Sequence, residues 1–572
     1  MYILGVWDGH DAGAALIEDN RIVFASNEER YTKRKLEYKF PYNAIRAALL
    51  YAKIKPSDIE EVAFPTVEFA KTVSRVFPTQ TEMYYKLRRR KLSRRGLEGL
   101  VYKTRGLQYR IKYAENAIGP VPFGAAISKA VVASHLRHMG FEDFKLHAVD
   151  HHTAHSATAA FTSGFRNATI VTIDGYGDGL SASISRFEKG ELDKESTIGA
   201  RNSIGILYEQ VTNLVGMREL EDEGKVMAMA DYSYPFEFSE NKLRDFLKVE
   251  GLNVTAKYGP VKQYGALSEV AWSTPREQFA YFAQQLTEKV LVELFTNILE
   301  KLKIGNIAMA GGLFSNVKAN MRVRHLSGLK KWFIFPHMGD GGTALGAAMY
   351  ANYMLNGTSS YKFENAYLGN EYDDEYTERV LRKEKGLYFE PDKNKCSHAA
   401  ELINSDHYVF WYQGRMEYGP RALGNRSILA NASSEKVKEK LNLYVKQREW
   451  YQPFAPSMLH ETARKLISDL KGYDRFMTMA YMVKEEKAHL MKSVVHVDNT
   501  ARPQMVGDEN PDYRKLLEKV RRLSGYGVIL NTSFNIHGMP IVMSPEDAIM
   551  TMKKTKTKHM FLNGFYVENR GV

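Results

Sequence analysis

Residues 2–27, YILGVWDGHDAGAALIEDNRIVFASN, have the pattern of three short strands joined by a glycine-containing turn and a tight hairpin. The same order returns in residues 168–187, where ATIVTI, DGYGDG and LSASISRF follow one another. When Asp8 is matched to Asp174, the two stretches lie 166 residues apart. We interpret them as an internal duplication, and two unrelated hairpins are the alternative. Glycine turns let backbone N–H groups approach anions, so the pattern predicts a two-lobed α/β fold that closes on a phosphate.

The composition excludes two broad classes of protein. Of the 572 residues 44% are hydrophobic, which is too many for a disordered chain, and the mean hydropathy of −0.38 argues against transmembrane helices. The first residues, MYILGVWDGHDAG, lack the basic and apolar regions of a signal peptide. The single cysteine, Cys396, cannot form an intramolecular disulfide. We therefore expect a cytoplasmic protein of two to four domains.

The net charge of +12 is concentrated in one segment. Residues 84–113 contain eleven basic residues and one acid, so the rest of the chain carries a net charge of only about +2. One interpretation of this basic segment is a solvated amphipathic surface. The others are contact with a phosphate-bearing acceptor, an anionic membrane or RNA.

The middle of the chain predicts further turns where a strand meets a helix. The strand NIAMA leads into Gly311 and Gly312, and the strand WFIF leads into the turn that begins at Gly339. These three glycines are candidate nucleotide contacts, because a residue without a Cβ lets the backbone approach a ligand closely. Asn316 could line the same pocket, although a polar residue is equally expected at a helix start. The polar residues at about 355–365 predict a linker between domains 1–355 and 365–572.

The sequence DHHTAH at residues 150–155 predicts a metal site. On a helix, His151 and His155 lie one turn apart on the same face, whereas His152 points elsewhere. A carboxylate should complete the site, and the candidates are Asp174 and Asp340. Such a ligand set suits Fe(II), Zn or Mn. The alternative is a group of surface or core histidines.

The last third of the chain predicts an anion pocket. Three arginines punctuate GRMEYGPRALGNRS at residues 414–427, and Lys446 and Arg448 lie two residues apart. Downstream, Ser533 and Asn535 follow a strand and should point to one face. Cations beside hydroxyl and amide groups suit a phosphate or an oxyanion. Surface ion pairing is the alternative for each cation.

Taken together, these motifs resemble the O-carbamoyltransferases of antibiotic and nodulation-factor biosynthesis, of which the tobramycin enzyme is one type. The resemblance runs from end to end through GHDAGAAL, EER, DHHTAH, VTIDGYGD, EGKVM, GGLFSN, GDGGTALGAA, EYGPRALGNRS, KQREWYQPFAPS, RPQ and LNTSFN. It implies an N-terminal domain of the duplicated actin-like ATPase (ASKHA) type. It also implies an α/β YrdC-like C-terminal domain.

The resemblance also implies a two-step reaction. The C-terminal domain would release carbamate from carbamoyl phosphate and join it to ATP, which enters with Mg²⁺, to form carbamoyl-adenylate and pyrophosphate. The N-terminal domain would then transfer the carbamoyl group to a hydroxyl group of a small-molecule or sugar acceptor.

Residues carried over from the family fall into three sets. His151, His155, Asp174 and Asp340 would hold a metal, usually Fe(II). Lys446, Arg448, Ser533 and Asn535, with Arg421 and Arg502, would hold carbamoyl phosphate and the adenylate. We further hypothesise that His10 or Asp11 orients or deprotonates the acceptor hydroxyl, and we take Lys225 of the EGKVM motif as a further catalytic residue.

This chain departs from the family pattern in a segment of the domain that would receive the acceptor. Relatives have Lys-His-Asp after the EER segment, whereas this chain has Lys35, Leu36 and Glu37. A fused tRNA threonylcarbamoylation enzyme is one alternative, but nucleic acid is an unlikely partner because the charge lies in one insertion. A catalytically inactive nucleotide-binding protein is the other. The acceptor could bear a phosphate, and the protein could form a homodimer.

Overall fold

The computed structural model describes residues 1–66, 68–90 and 122–571. Most of the basic segment at 84–113 therefore lies outside the described residues, and only its first seven positions are seen. Within the described ranges, no helix combines the length and the apolar character that crossing a bilayer requires.

The chain forms two compact units. The N-terminal unit consists of Met1–Glu28 and Leu36–Phe363, and the C-terminal unit consists of Glu29–Lys35 and Glu364–Val572. The second break, after Phe363, lies inside the stretch at 355–365 that the sequence indicates as a linker. We describe each unit by itself.

The first sheet of the N-terminal unit is built around the hairpin of residues 2–27. Its strands are β1 (Tyr2–Trp7), β2 (Gly13–Glu18), β3 (Arg21–Asn27), β4 (Glu61–Pro65) and β5 (Lys145–Val149). The order is β3-β2-β1-β4-β5. β2 is antiparallel to both β1 and β3, whereas β4 is parallel to both β1 and β5.

The second sheet repeats this topology. Its strands are β6 (Asn167–Gly177), β7 (Leu180–Glu188), β8 (Glu191–Gly199), β11 (Asn306–Ala310) and β12 (Lys331–Ile334). Between β8 and β11 in the chain, β9 (Leu247–Glu250) and β10 (Asn253–Ala256) form a separate hairpin. The sheet order β8-β7-β6-β11-β12 matches the first sheet strand for strand, with the same directions. The duplication predicted from the two hairpins is confirmed.

Helices surround the two sheets. Except for α1 (Glu29–Thr32), which belongs to the C-terminal unit, they are α2 (Tyr42–Ala52), α3 (Phe69–Val76), α4 (Pro78–Arg88), α5 (Pro122–His138), α6 (His151–Thr162), α7 (Ile204–Leu214), α8 (Glu223–Ala230), α9 (Pro260–Trp272), α10 (Arg276–Leu302), α11 (Val317–Arg324) and α12 (Thr343–Asn356).

Two glycines let the alanine-rich helix α12 pack at backbone distance against its neighbours. A Cβ atom on Gly5 of β1 would lie 1.9 Å from the carbonyl oxygen of Ala344. A Cβ atom on Gly346 would lie 1.9 Å from the carbonyl oxygen of Ala154 in α6. Neither position accepts a side chain. This close packing holds the turn that precedes α12 beside the first turns of α6.

The C-terminal unit is built on one mixed sheet. Its strands are β13 (Leu387–Pro391), β14 (Val409–Tyr412), β15 (Arg426–Asn431), β16 (Ala455–Leu459), β17 (Tyr481–Met482), β18 (Thr500–Ala501), β19 (Gln504–Val506), β20 (Val528–Ser533), β21 (His559–Leu562) and β22 (Phe565–Asn569). Eight of them form the order β13-β22-β21-β14-β15-β20-β16-β19, and β17 pairs with β18. The α/β class predicted for this part of the chain is confirmed.

Helices cover this sheet and complete its core. They are α13 (Asp374–Leu381), α14 (Lys395–Asn404), α15 (Glu435–Lys440), α16 (His460–Leu466), α17 (Pro511–Ser524) and α18 (Pro545–Lys554). α14 and α17 pack against each other over a buried cluster that includes Trp411 and Tyr513. Burial of these large aromatic rings is a main source of stability for the unit.

The segment Glu29–Lys35 lies outside the range 365–572 predicted for the second domain, yet it belongs to the C-terminal unit. Arg30 is buried and donates to the carbonyl oxygen of Gly419 at 2.9 Å. Lys33 forms an ion pair with Asp547. These contacts join residues more than 380 positions apart, so the local sequence does not reveal them.

Candidate active site

Helix α6 presents the two predicted histidines. Its first turn is capped by Asp150, whose side chain accepts a hydrogen bond from the backbone N–H of Thr153 at 2.8 Å. His151 and His155 follow one turn apart, and their rings are 4.8 Å apart and buried. His152 instead contacts the hydroxyl of Thr172 at 2.7 Å within the core. The helix thus separates His152 from the pair, as the spacing predicts.

Two aspartates from distant parts of the chain reach the histidine pair. Asp174 lies in β6, with Oδ2 at 3.1 Å from His151 Nε2 and 3.4 Å from His155 Nε2. Asp340 lies in the turn before α12, with Oδ1 at 3.6 and 3.8 Å from the same two nitrogen atoms. One ligand atom from each of the four residues falls within 4.8 Å of all the others. The structure brings together all four side chains expected to hold a metal.

The electrostatics of this histidine–aspartate cluster fit a bound cation. Burial alone would raise the pKa of Asp174, but its contacts with His151 and His155 lower it well below its usual value. Burial and the charge of Asp174 raise the pKa of Asp340 instead. Nε2 of His155 is buried and makes no hydrogen bond among the described residues. Two imidazole nitrogens and two carboxylates suit Fe(II), Zn or Mn, and a divalent ion would balance the crowded carboxylates.

The first glycine turn places His10 and Asp11 next to this cluster. Nδ1 of His10 is 3.3 Å from Oδ2 of Asp340. Asp11 has a positive φ of 61°, and Asn27 donates to both its backbone and its side-chain oxygen at 3.0 Å. His337 lies 2.9 Å from Asn27 and 3.6 Å from Asp11.

The sequence argument did not single out Asn27 or His337 as functional residues. His337 lies two residues before the GDGG turn, and Asn27 ends the first hairpin, so both residues lie in or beside quoted motifs. Asp178, also within a quoted motif, was missed as well. Its Oδ2 accepts a hydrogen bond from the backbone N–H of His151 at 2.8 Å, which fixes the start of α6.

The candidate nucleotide contacts of the N-terminal unit are Gly311, Gly312, Gly339 and Asn316. Gly312 donates its N–H to Oδ1 of Asp174 at 3.2 Å, and the preceding Gly311 has a φ of 107° that requires glycine. A Cβ atom on Gly339 would meet nothing within 4 Å. The side chain of Asn316 caps α11 through Ala319 and exchanges two hydrogen bonds with Gln284. The buried side chain of Asn316 thus caps the helix, which is the alternative to a nucleotide contact that the sequence allows.

Lys225 lies on α8, and its Nζ is 3.1 Å from Oδ1 of Asp222. Glu223 of the same EGKVM motif is largely buried, and burial together with the charge of Glu209 raises its pKa to about 8. The catalytic role assigned to Lys225 stays a prediction.

The C-terminal unit joins three of its predicted residues in one buried group. Nζ of Lys446 is 3.2 Å from Ser533 Oγ and 2.8 Å from Asn535 Oδ1, and it also donates to both backbone carbonyl oxygens of these residues. All of these partners are neutral oxygens. Burial, together with the charges of Arg448 and Lys35, lowers the pKa of Lys446 well below its usual value. A buried ammonium without a carboxylate partner in the described part of the unit creates a site for an anion.

Three arginines accompany this lysine. Burial lowers the pKa of Arg421 and of Arg448 to about 10. Burial and the charges of Arg421 and Arg448 lower the pKa of Arg502 well below its usual value. Nε of Arg421 and Nε of Arg502 are buried and have no hydrogen-bond partner among the described residues. Cations that repel one another and leave donors unused are typical of a phosphate-binding pocket.

Comparison with known proteins identifies the family. Residues 2–349 match the model of the carbamoyltransferase N-terminus, and residues 400–569 match the model of the carbamoyltransferase C-terminus. The chain belongs to the carbamoyltransferase family. The O-carbamoyltransferase resemblance inferred from the motifs is confirmed, and this carbamoyltransferase is an enzyme of that family.

Two relatives and one solved structure illustrate the range of similarity. Nodulation protein NolNO of Sinorhizobium fredii is 29% identical over 98% of this chain and 79% of its own length. The 3'-hydroxymethylcephem-O-carbamoyltransferase of Streptomyces clavuligerus is 31% identical over 61% of this chain and 66% of its own. The crystal structure of T. kodakarensis HypF is 12% identical, with a TM-score of 0.34, over 62% of this chain and 48% of its own.

Proposed function

We propose that this carbamoyltransferase uses ATP and carbamoyl phosphate to carbamoylate a hydroxyl group of a small-molecule or sugar acceptor. The observation that carries the proposal is the buried ammonium of Lys446, whose hydrogen bonds within the described residues all go to neutral oxygens of Ser533 and Asn535. Such a cation needs an anionic partner to offset its desolvation. Carbamoyl phosphate supplies that charge.

The first half-reaction takes place in the C-terminal unit. Lys446, Arg448, Ser533 and Asn535 hold carbamoyl phosphate, which water cleaves to carbamate and inorganic phosphate. An oxygen of carbamate then attacks the α-phosphorus of ATP, and pyrophosphate leaves with its Mg²⁺. Arg421 and Arg502 balance the negative charge that collects on the phosphates. The product is carbamoyl-adenylate.

The second half-reaction takes place in the N-terminal unit. The acceptor hydroxyl attacks the carbamoyl carbon, the bond to the adenylate oxygen breaks, and AMP leaves. His10 or Asp11 takes the hydroxyl proton, and His10 lies 3.3 Å from Asp340. His151, His155, Asp174 and Asp340 would hold a divalent ion, proposed to be Fe(II), which would supply a positive charge that polarises the carbonyl group. Gly311, Gly312 and Gly339 remain the proposed nucleotide contacts.

The test is the release of pyrophosphate by full-length, metal-loaded protein in the absence of an acceptor. We expect release with ATP and carbamoyl phosphate, and none with ATP, bicarbonate and threonine. Lys446→Ala should abolish release without lowering the metal content. The matched control is Lys440→Ala, because Lys440 is an exposed lysine six residues earlier in the chain.

Two results would contradict the proposal. Release that requires threonine and bicarbonate would assign the protein to tRNA threonylcarbamoylation, and no release with either donor would favour a non-catalytic role. Arg88 and Arg89, at the start of the basic segment, form ion pairs with glutamates, which speaks against RNA contact at that end. The cytoplasmic location and a homodimer stay predictions.

A further inference from the structure

Three tyrosines form an aromatic wall in the N-terminal unit. The rings of Tyr38 and Tyr85 are stacked, with centroids 5.3 Å apart and planes inclined by 24°. Tyr84 extends the group, with its ring centroid 5.3 Å from that of Tyr85. We call these three residues the aromatic wall. Tyr84 and Tyr85 come from the end of α4, whereas Tyr38 follows Leu36 and Glu37, where this chain departs from the family pattern.

The aromatic wall stands beside the proposed transfer centre. The ring of Tyr85 is 5.8 Å from the ring of His10. His10 in turn lies 3.3 Å from Asp340. A ligand that contacts this wall would therefore have its hydroxyl groups near His10 and the carboxylates of Asp11 and Asp340. Burial raises the pKa of Tyr85 far above its usual value, so its ring remains neutral.

The first arginines of the basic segment hold the aromatic wall in place. Arg88 donates to Glu219 at 2.6 Å and also pairs with Glu209, while its guanidinium lies over the Tyr84 ring at 5.4 Å. Arg89 pairs with Glu221 and donates to the carbonyl oxygen of Leu36 at 3.3 Å.

Both arginines are buried, with side-chain exposures of 9% and 5%. Their positive charges are balanced by glutamates. Arg88 and Arg89 therefore contribute packing and offer no unbalanced positive charge to a ligand.

We propose that the aromatic wall is the acceptor subsite and that it takes a neutral hydroxylated ring, of the pyranose type, in preference to a phosphate-bearing acceptor. The inference rests on the proposed function and deepens it. Aromatic faces contact the C–H face of a saturated ring, and carboxylate or imidazole groups accept hydrogen bonds from its hydroxyls. Arg88 acts as a positioning residue, because it reaches the ligand only through Tyr84 and Tyr85.

Calorimetric titration of the full-length, metal-loaded protein tests the substrate class. The probes are methyl β-glucopyranoside and sorbitol, which present a hydroxylated ring and a hydroxylated open chain. We expect the cyclic probe to bind about tenfold more tightly than sorbitol. Equal binding of the two probes, or binding of neither, overturns the proposal.

Variants of Tyr85 test the role of the ring. Tyr85→Leu should reduce binding of the cyclic probe to the level of sorbitol, whereas Tyr85→Phe, which keeps the aromatic face, should retain it. Loss in both variants would assign the effect to the hydroxyl and overturn the proposal. Tyr234→Leu is the control, because Tyr234 is 86% exposed in the same unit. Glucose 6-phosphate is the third probe, and Tyr85-dependent binding tighter than that of the glucoside would overturn the neutral class.

A double-mutant cycle tests the positioning role of Arg88. Arg88→Gln should weaken binding of the cyclic probe about as much as Tyr85→Leu, and combining the two changes should add little further loss. Fully additive losses would overturn this role. The titrations need no ATP, so they are separate from the pyrophosphate assay. A protein that prefers the cyclic probe but releases no pyrophosphate would refute the proposed function alone, and the reverse result would refute only the subsite.

Discussion

Asp8 and Asp174 occupy matching positions in the two halves of the N-terminal unit, yet their partners differ. In the first half, Asp8 lies 2.8 Å from Nε of Arg75 and 3.1 Å from Nζ of Lys71. In the second half, Asp174 lies within 3.4 Å of Nε2 of both His151 and His155. In both halves the partners are two residues four positions apart on one helix, α3 or α6.

The difference shows that two copies of one duplicated fold carry different sites, an internal ion-pair cluster in the first half and a candidate metal site in the second. Arg75 and Lys71 complete the first site within the protein, and their charges lower the pKa of Asp8 far below its usual value against the opposing effect of burial. Imidazoles are neutral ligands, and Asp340 adds a second carboxylate to the second site. A divalent ion in the second site, as proposed above, would balance this charge. We expect metal dependence to be confined to the second half.

The largest effect should follow His155→Ala. Loss of a proposed ligand should lower metal affinity by more than about 100-fold and abolish carbamoyl transfer, while pyrophosphate release continues. Metal analysis and the two half-reaction assays measure this. His152→Gln is the control on the same helix, since His152 contacts Thr172, and it should keep the metal. Loss of both half-reactions in His155→Ala would show that the two sites do not work independently.

Next in size is Asp8→Asn in the first half. The change leaves Arg75 and Lys71 buried without their carboxylate, so the free energy of unfolding should fall by about 3–5 kcal/mol. Denaturant unfolding measures the loss, and metal content should not change. Asp19→Asn, which breaks an exposed pair with the chain terminus, should cost less than about 1 kcal/mol. Loss of metal from the Asp8→Asn variant would contradict the expectation that metal dependence is confined to the second half.

A smaller effect concerns pH. The raised pKa of Glu223 means that between its ordinary value of 4.5 and about 8 the folded protein binds a proton that the unfolded chain has released. Stability due to this group should therefore fall as pH rises through that range, by up to about 1.4 kcal/mol per pH unit. Denaturant unfolding across the range should show a flatter profile for Glu223→Gln.

Asp8 should behave in the opposite way. Its lowered pKa gives stability that is present above its ordinary pKa of about 3.9 and is lost only as pH falls below it. The Asp8→Asn difference should thus stay constant across the range in which Glu223→Gln changes.

The smallest effect should follow Asp150→Ala. Removing the cap of α6 should cost about 1 kcal/mol and weaken metal binding slightly, because His151 and His155 lie in the first two turns. Thermal unfolding and metal titration measure both. Asp373→Ala removes a similar cap from α13, so it should cost about the same stability without affecting the metal. Equal loss of metal affinity in the two variants would show that the loss does not come from removing the cap of α6.

Features that depend on local periodicity could be predicted. The i, i+4 spacing placed His151 and His155 on one face, and the repeated hairpin pattern predicted the duplicated sheets. The two-residue period of a strand likewise indicated that Ser533 and Asn535 act together, and both contact Lys446. The roles of these residues remain proposals, since the geometry establishes only that they meet.

The sequence by itself determined which side chains each helix and strand presents, because backbone geometry sets that spacing over a few residues. Only the tertiary structure decided which distant groups meet. Asp340 joins the histidines through the packing of α12 on α6. Residues Glu29–Lys35 belong to the C-terminal unit, and Arg88 is buried against Glu209 and Glu219. These outcomes depend on contacts between residues far apart in the chain, and no local period encodes such contacts.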